Sequence, residues 1–130
     1  MDKNWYEFFE QDRFAVSNGM KLIHIEPGLA VAQLDVEDRH LNAANVVQGG
    51  AIFTLADYAF AAASNACGSL TLGINASINY FKPPKGKRIK AKARLVSSSN
   101  RLCTYLVDIT DEFENLVASF TGTGYMKKST

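Results

Sequence analysis

The chain has 130 residues, which suffices for one domain that buries most of its apolar surface and is too short for two, so 1–130 reads as a single domain. A composition that is 47% hydrophobic and 21% charged is that of an ordinary globular protein, and a net charge of +1 supplies no field to gather nucleic acid or an anionic membrane. Trp5, Glu7 and Glu10 stand where a secretory leader would need a basic start and an apolar run, and every long stretch is broken by polar residues, so a cytoplasmic location is expected.

In chain order, the aromatic cluster in 3–9 predicts a short helix, followed by a loop that ends near Asn18 and Gly19. Segments 22–26 and 29–36 predict a hairpin turning at Pro27 and Gly28. A polar, turn-rich stretch over 37–47 leads to Gln48, Gly49 and Gly50, after which one long helix is expected from 49 to about 66. Four β-rich segments follow near 71–81, 88–97, 101–110 and 116–126, separated by turn residues. Their connections are too short for crossovers. The order predicts an α+β fold, an antiparallel sheet curled around one helix.

That helix contains no Lys, Arg or Glu between Gly49 and Ala66, so it is expected to be mostly buried. At about 100° per residue, Thr54, Asp57, Ala61, Ser64 and Asn65 fall on one narrow stripe that carries a single charge. A carboxylate in such a place should be partly desolvated, which marks Asp57 as a candidate base or nucleophile; the alternative is a thin solvent face. Gly49 and Gly50 leave the first-turn N–H groups uncovered at the positive end of the helix dipole, a ready site for a developing oxyanion. Eight residues of helix separate Gly49 from Asp57 by about 12 Å, too far for both to act on one carbonyl carbon. If both act, they act from different subunits, as in a two-fold dimer whose helices run antiparallel.

Asn42, then Gln48-Gly49-Gly50 six residues on, then Asp57 seven residues after the second glycine, resembles the signature of hotdog-fold acyl-CoA thioesterases of the phenylacetate-degradation (PaaI-like) type, in which His-Gly-Gly occupies the middle of the pattern. Tyr80-Phe81-Lys82-Pro83 followed by Gly86 is similar to that family's end of the strand after the helix, and the strand order agrees from about 21 to 127. The resemblance implies a hotdog fold and hydrolysis of an acyl-CoA to a free acid and coenzyme A, with no cofactor beyond the coenzyme A of the substrate. It implies Asp57 as nucleophile or general base, the Gly49 amide on the thioester oxygen, and Asn42 orienting the water or the acid across a dimer. Gly50 and Thr54 join the substrate site beside them. Gln48 departs from the family's His; its amide can donate a hydrogen bond but cannot transfer a proton at neutral pH. The family also tends to place a hydroxyl on the next strand, for which the register offers Thr71, Gly73 or Asn75, with Asn75 chosen.

Arg88, Lys90, Lys92 and Arg94 alternate with Ile89, Ala91, Ala93 and Leu95, so the basic side chains share one sheet face. They read either as a face solvated and paired with Asp35 and Asp108 or as part of a phosphate-binding surface with Lys82, Lys85 and Arg101 in adjoining loops; the loop lysines are the better candidates for coenzyme A. Cys67 and Cys103 match neither a disulfide framework nor a metal spacing and read as core filler. His24 and His40 read as structural or exposed, and no metal site is expected. Phe53, Tyr58 and Phe60 are candidate lining for an aromatic acyl pocket, although such spacing also fits a core. The alternative to an enzyme is a non-catalytic acyl-CoA or acyl-carrier binding protein on the same fold. A dehydratase would need a His base that the helix lacks. The partners expected are the acyl-CoA substrate and further copies of the chain, as a dimer or a dimer of dimers.

Overall fold

The computed structural model describes residues 4–127. Helix α1 (Trp5–Phe9) starts where the Asn4 side chain accepts the N–H groups of Tyr6 and Glu7. A second short helix, α2 (Arg13–Ser17), stands where a loop was expected; Asp12 caps it by accepting from the Ala15 N–H at 3.1 Å. Residue 3 of the aromatic helix expected at 3–9 lies outside the described residues. Strands β1 (Met20–Glu26) and β2 (Leu29–Asp35) form the expected hairpin, with Gly28 at φ 82° in the turn.

Helix α3 (Gly49–Asn65) is followed by β3 (Leu70–Tyr80), β4 (Arg88–Ser98), β5 (Leu102–Asp111) and β6 (Leu116–Lys127). The six strands form one antiparallel sheet in the order β1-β2-β4-β5-β6-β3, and α3 packs on its inner face, as a hotdog fold requires. Alanines bring helix and sheet together: Ala30 and Ala32 of β2 and Ala91 and Ala93 of β4 are fully buried in the core that includes Leu55, Ala59 and Ala62 of α3. Toward β3 the inner face becomes a row of glycines, Gly73, Gly122 and Gly124, and a Cβ on any of them would come within 3.3 Å of the Phe60 ring. The glycines admit that ring, which also meets Tyr105 with centroids 5.5 Å apart.

The sheet has two distinct ends. At the start of α3 lie Asp35, Arg88, Asp111 and Tyr80; at its finish the Gly28 N–H donates to the Ala63 carbonyl and Leu70 pairs with Lys127. The edges differ too. Over β1 the Tyr6 hydroxyl accepts the Ile25 N–H at 3.1 Å, whereas among the described residues β3 pairs only with β6 and exposes Leu70, Leu72 and Ile74. Among the described residues no helix is long and apolar enough to cross a membrane.

Candidate active site at the start of the long helix

The loop before α3 is held by its own backbone. Leu41 bridges Val47, the Asn42 N–H donates to Val46, and the Asn42 Oδ1 accepts from Ala44 at 2.8 Å and Val46 at 3.3 Å, while Asn45 takes φ 67°. Asn42 is therefore a turn-former first, and its Nδ2 donates to no group among the described residues. The loop is anchored from behind by buried His40, whose Nδ1 accepts the Glu37 N–H at 2.9 Å; its Nε2 then carries the proton and donates to the Asn18 carbonyl at 2.7 Å. The Gln48 N–H closes the loop on the His40 carbonyl. His24, by contrast, is exposed beside Glu26.

Gln48 has φ −66° and ψ 138° and leads directly into the helix without capping it by its side chain. Among the described residues the N–H groups of Gly49 and Gly50 find no acceptor, as the first turn of a helix dictates. Each glycine is there for a neighbour. A Cβ at Gly49 would lie 3.1–3.4 Å from three atoms of the Tyr80 phenol, and one at Gly50 would lie 2.6 Å from the Gln48 Oε1. The first turn is thus less open than the bare glycines implied, since the Gln48 amide folds over Gly50. Tyr80 reaches the same turn from the end of β3, and its hydroxyl donates to the Gly49 carbonyl at 2.9 Å. A groove of about 420 Å³ runs outward from here, lined by Val47, Gly49, Ile52, Tyr80, Lys82 and Pro84 among others.

Asp57 and Thr54 lie on the uncovered side of α3. The Thr54 hydroxyl donates back to the Gly50 carbonyl at 2.7 Å. Asp57 is open to solvent in the single chain, on the thin solvent face that was the alternative reading, yet it is partly desolvated as expected: burial raises its carboxyl above the ordinary value, and the charge of Asp12 acts in the same direction. The N-terminal helices bring that charge in: the Tyr58 hydroxyl donates to the Phe9 carbonyl at 2.9 Å, and burial, Asp12 and Glu10 together push Tyr58 up to about 12.

Several expected members are elsewhere. Ser64 and Asn65 leave the polar stripe because the start of β3 covers the last turn of α3. Both are buried, and the Asn65 amide clamps the Thr71 backbone by accepting its N–H at 2.9 Å and donating to its carbonyl at 3.1 Å. Asn75 pairs with Thr123, out of the Gly73–Gly124 row that faces Phe60, so its side chain leaves the opposite face of the sheet. A bulge between Gly73 and Asn75 shifts the alternation by one. Arg101 does not adjoin Lys82 and Lys85. Ten residues of β5 separate the ends of the sheet, and Arg101 donates to the Tyr125 hydroxyl at 3.2 Å at the far one.

Lys82 lines the groove beside Gly49, and the Lys85 backbone donates to Asp111 at 2.9 Å. Burial alone would raise the Asp111 carboxyl, but it accepts from Lys85, from the Asn115 side chain and backbone and from Phe113, and is lowered to about 2. The basic stripe of β4 is exposed as expected, with Arg88 bonded to Asp35 at 3.0 Å. Tyr58 and Phe60 belong to the core, and only Phe53 of the three candidate aromatics is partly open, 5.4 Å from the Phe120 ring. Tyr80 and Asp12 went unassigned from sequence, although a capping Asp before a short helix is a recognisable signal.

A terminal helix turn with free N–H groups, an acid with raised basicity on the same helix and a groove leading away from the turn form the equipment of an acyl-transfer hydrolase. The chain matches the family model described as the thioesterase superfamily over residues 44–118, which contains the Gln48-Gly49-Gly50 turn and Asp57. The chain belongs to the thioesterase superfamily. This thioesterase is 38% identical over 118 residues to a putative esterase of Archaeoglobus fulgidus, covering 90% of this chain and 77% of that one. It is 29% identical over 121 residues to the acyl-coenzyme A thioesterase PaaI of Escherichia coli, covering 92% and 86%. The solved structure of the E. coli PaaI protein of the phenylacetic acid degradation operon superposes with a TM-score of 0.91 at 27% identity, covering 98% of this chain and 93% of that one. The PaaI-like hotdog thioesterase expected from the turn and its acid is thereby established, and with it a hydrolase.

Proposed function

We propose that this thioesterase hydrolyses acyl-CoA esters at sites shared between two copies of the chain, with the Gly49 N–H from one copy and Asp57 from the other. The observation that carries the reading is the placement of both groups on one straight helix of 17 residues, where their separation of about 12 Å denies them a common carbonyl carbon. The unpaired edge of β3, with Leu72 57% and Ile74 58% exposed, supports a second copy beside α3.

Asp57 takes a proton from water as the water oxygen bonds to the thioester carbon; the carbonyl oxygen, now negative, rests on the Gly49 N–H. Collapse breaks the C–S bond, the acid departs, and the coenzyme A thiolate recovers the proton. Asn42, whose Nδ2 is uncommitted, orients the water or the partner copy's acid, and Gly50 and Thr54 complete the wall of the site. Lys82, which lines the groove, and Lys85, which follows the lining residue Pro84 in the chain, receive the phosphates of coenzyme A.

Release of free thiol from a panel of short, long and aromatic acyl-CoA esters tests the reading: turnover by the wild type and its loss in Asp57→Ala are expected. An Asp57→Ala protein as fast as wild type would refute it. Gln48 in place of the family's His favours a second reading, a binding protein without turnover. Tight coenzyme A binding with no hydrolysis of any ester would select that one.

A further inference from the structure

The Tyr80 phenol is absent from every role assigned so far, yet it packs directly on the turn that would hold the oxyanion. Its ring approaches Gly49 so closely that a Cβ there would stand 3.1 Å from Cζ and 3.2 Å from the hydroxyl oxygen. The hydroxyl donates to the Gly49 carbonyl at 2.9 Å. That carbonyl belongs to the same peptide unit as the N–H of Gly50. A donor on a peptide oxygen draws electron density from its nitrogen and strengthens the N–H as a donor in turn, by about 10–30% per bond. The ring also walls the groove between Ile52 and Lys82, so one residue touches both the donor turn and the path to it.

We propose that Tyr80 is a positioning residue for thioester hydrolysis: through its bond to the Gly49 carbonyl it fixes the Gly49–Gly50 peptide and sharpens the Gly50 N–H as a second oxyanion donor beside that of Gly49. This rests on the thioesterase reading of the site. A purely structural alternative makes the same bond a staple between the end of β3 and the start of α3, with consequences for folding alone.

Tyr80→Phe keeps the ring on Gly49 and removes only the donor. In the full-length protein two readouts apply. The first needs no substrate: the Gly50 amide proton resonance moves upfield in Tyr80→Phe, with the amides of the sheet core unchanged. The second is turnover: kcat for an acyl-CoA ester accepted by the wild type falls about three- to tenfold, the effect of one net hydrogen bond, with KM within about twofold. A Gly50 amide that does not move overturns the proposed polarisation, and a moved amide with wild-type kcat overturns its catalytic use. A fall in melting temperature with kcat intact identifies the staple. A wild type that hydrolyses no acyl-CoA ester would instead remove the thioesterase reading of the site and with it the positioning role, leaving the amide shift to report the bond alone.

Discussion

Mixed dimers provide a quantitative test of a site divided between chains. One chain carries Asp57→Ala, which removes the base; the other carries Gly49→Pro, which removes the N–H assigned to the oxyanion. Proline is well suited to the second task. Gly49 is the first residue of α3, where proline is favoured, and Gln48 before it already has φ −66° and ψ 138°, the extended conformation a following proline demands. The new ring would meet Tyr80, which must give by a few tenths of an ångström. Alone, Asp57→Ala should lose about 10²–10⁴ in kcat and Gly49→Pro about 10²–10³, the usual effects of a general base and an oxyanion donor. Coexpressed in equal amounts and free to pair, half of the dimers contain one chain of each kind. In each of these one site receives an intact Gly49 and an intact Asp57, and the other receives neither. Thiol release should therefore recover to about one quarter of the wild-type rate per site, a value fixed by two-fold symmetry and not by any energy. A mixture no faster than the sum of its parents, with pairing confirmed by differently tagged chains, would refute the shared site and require both groups to act within one chain.

Asp12→Asn removes a charge that helps raise the Asp57 carboxyl, so the acid limb of kcat/KM should move to lower pH; a limb that stays or moves upward contradicts the coupling. Asp57→Asn should raise the melting temperature at neutral pH while abolishing turnover: a carboxyl whose folded pKa is raised binds its proton more tightly in the native state, so stability falls as pH rises through that window and a neutral amide avoids the loss. Asn65→Ala deletes both bonds to the Thr71 backbone within the core and should cost about 2–4 kcal/mol in denaturant unfolding, with activity per folded chain retained. Gln48→His introduces a titrating group over Gly50, and its pH–rate profile should gain an inflection near pH 6–7 that the wild-type profile lacks; superimposable profiles would mean that this side chain does not touch the reacting groups.

The elements of the fold were legible because local chemistry and tertiary demand coincide in them. A helix without long charged side chains can only be a covered one, and the alternation of Arg88, Lys90, Lys92 and Arg94 with Ile89, Ala91 and Ala93 assigns both faces of β4 without reference to any neighbour. The misassignments lie where the neighbour decides. Ser64 and Asn65 share the helical angle of Asp57, but only the arrival of β3 over the last turn makes them interior. Alternation placed Asn75 with Thr71 and Gly73; one extra residue in the bulge reverses its face, and nothing in the composition of that strand marks the insertion. Arg101 shares a turn-rich setting and a charge with Lys82 and Lys85, while strand direction assigns it to the other end of the sheet. The short helix at Arg13–Ser17 has too few turns to carry an apolar period, and Asp12 was its one signal.

The exposure of Asp57 bears on how such a site acquires its strength. In the single chain the carboxylate faces water, and its basicity is raised by the apolar residues beside it and by Asp12. A second copy laid along the uncovered stripe of Gly50, Thr54, Asp57 and Ala61 would remove part of that water and, in the same step, bring the N–H groups of its own Gly49 turn toward the acid. Donor and base strength would then arise from one event. Desolvation without the partner's donors would merely neutralise the acid, and donors without desolvation would work through water, where their field is weak. In the proposed dimer, pairing along the open edge of β3 would couple the two, because a slip by one residue turns every side chain of a strand to the other face and would carry both groups out of reach together.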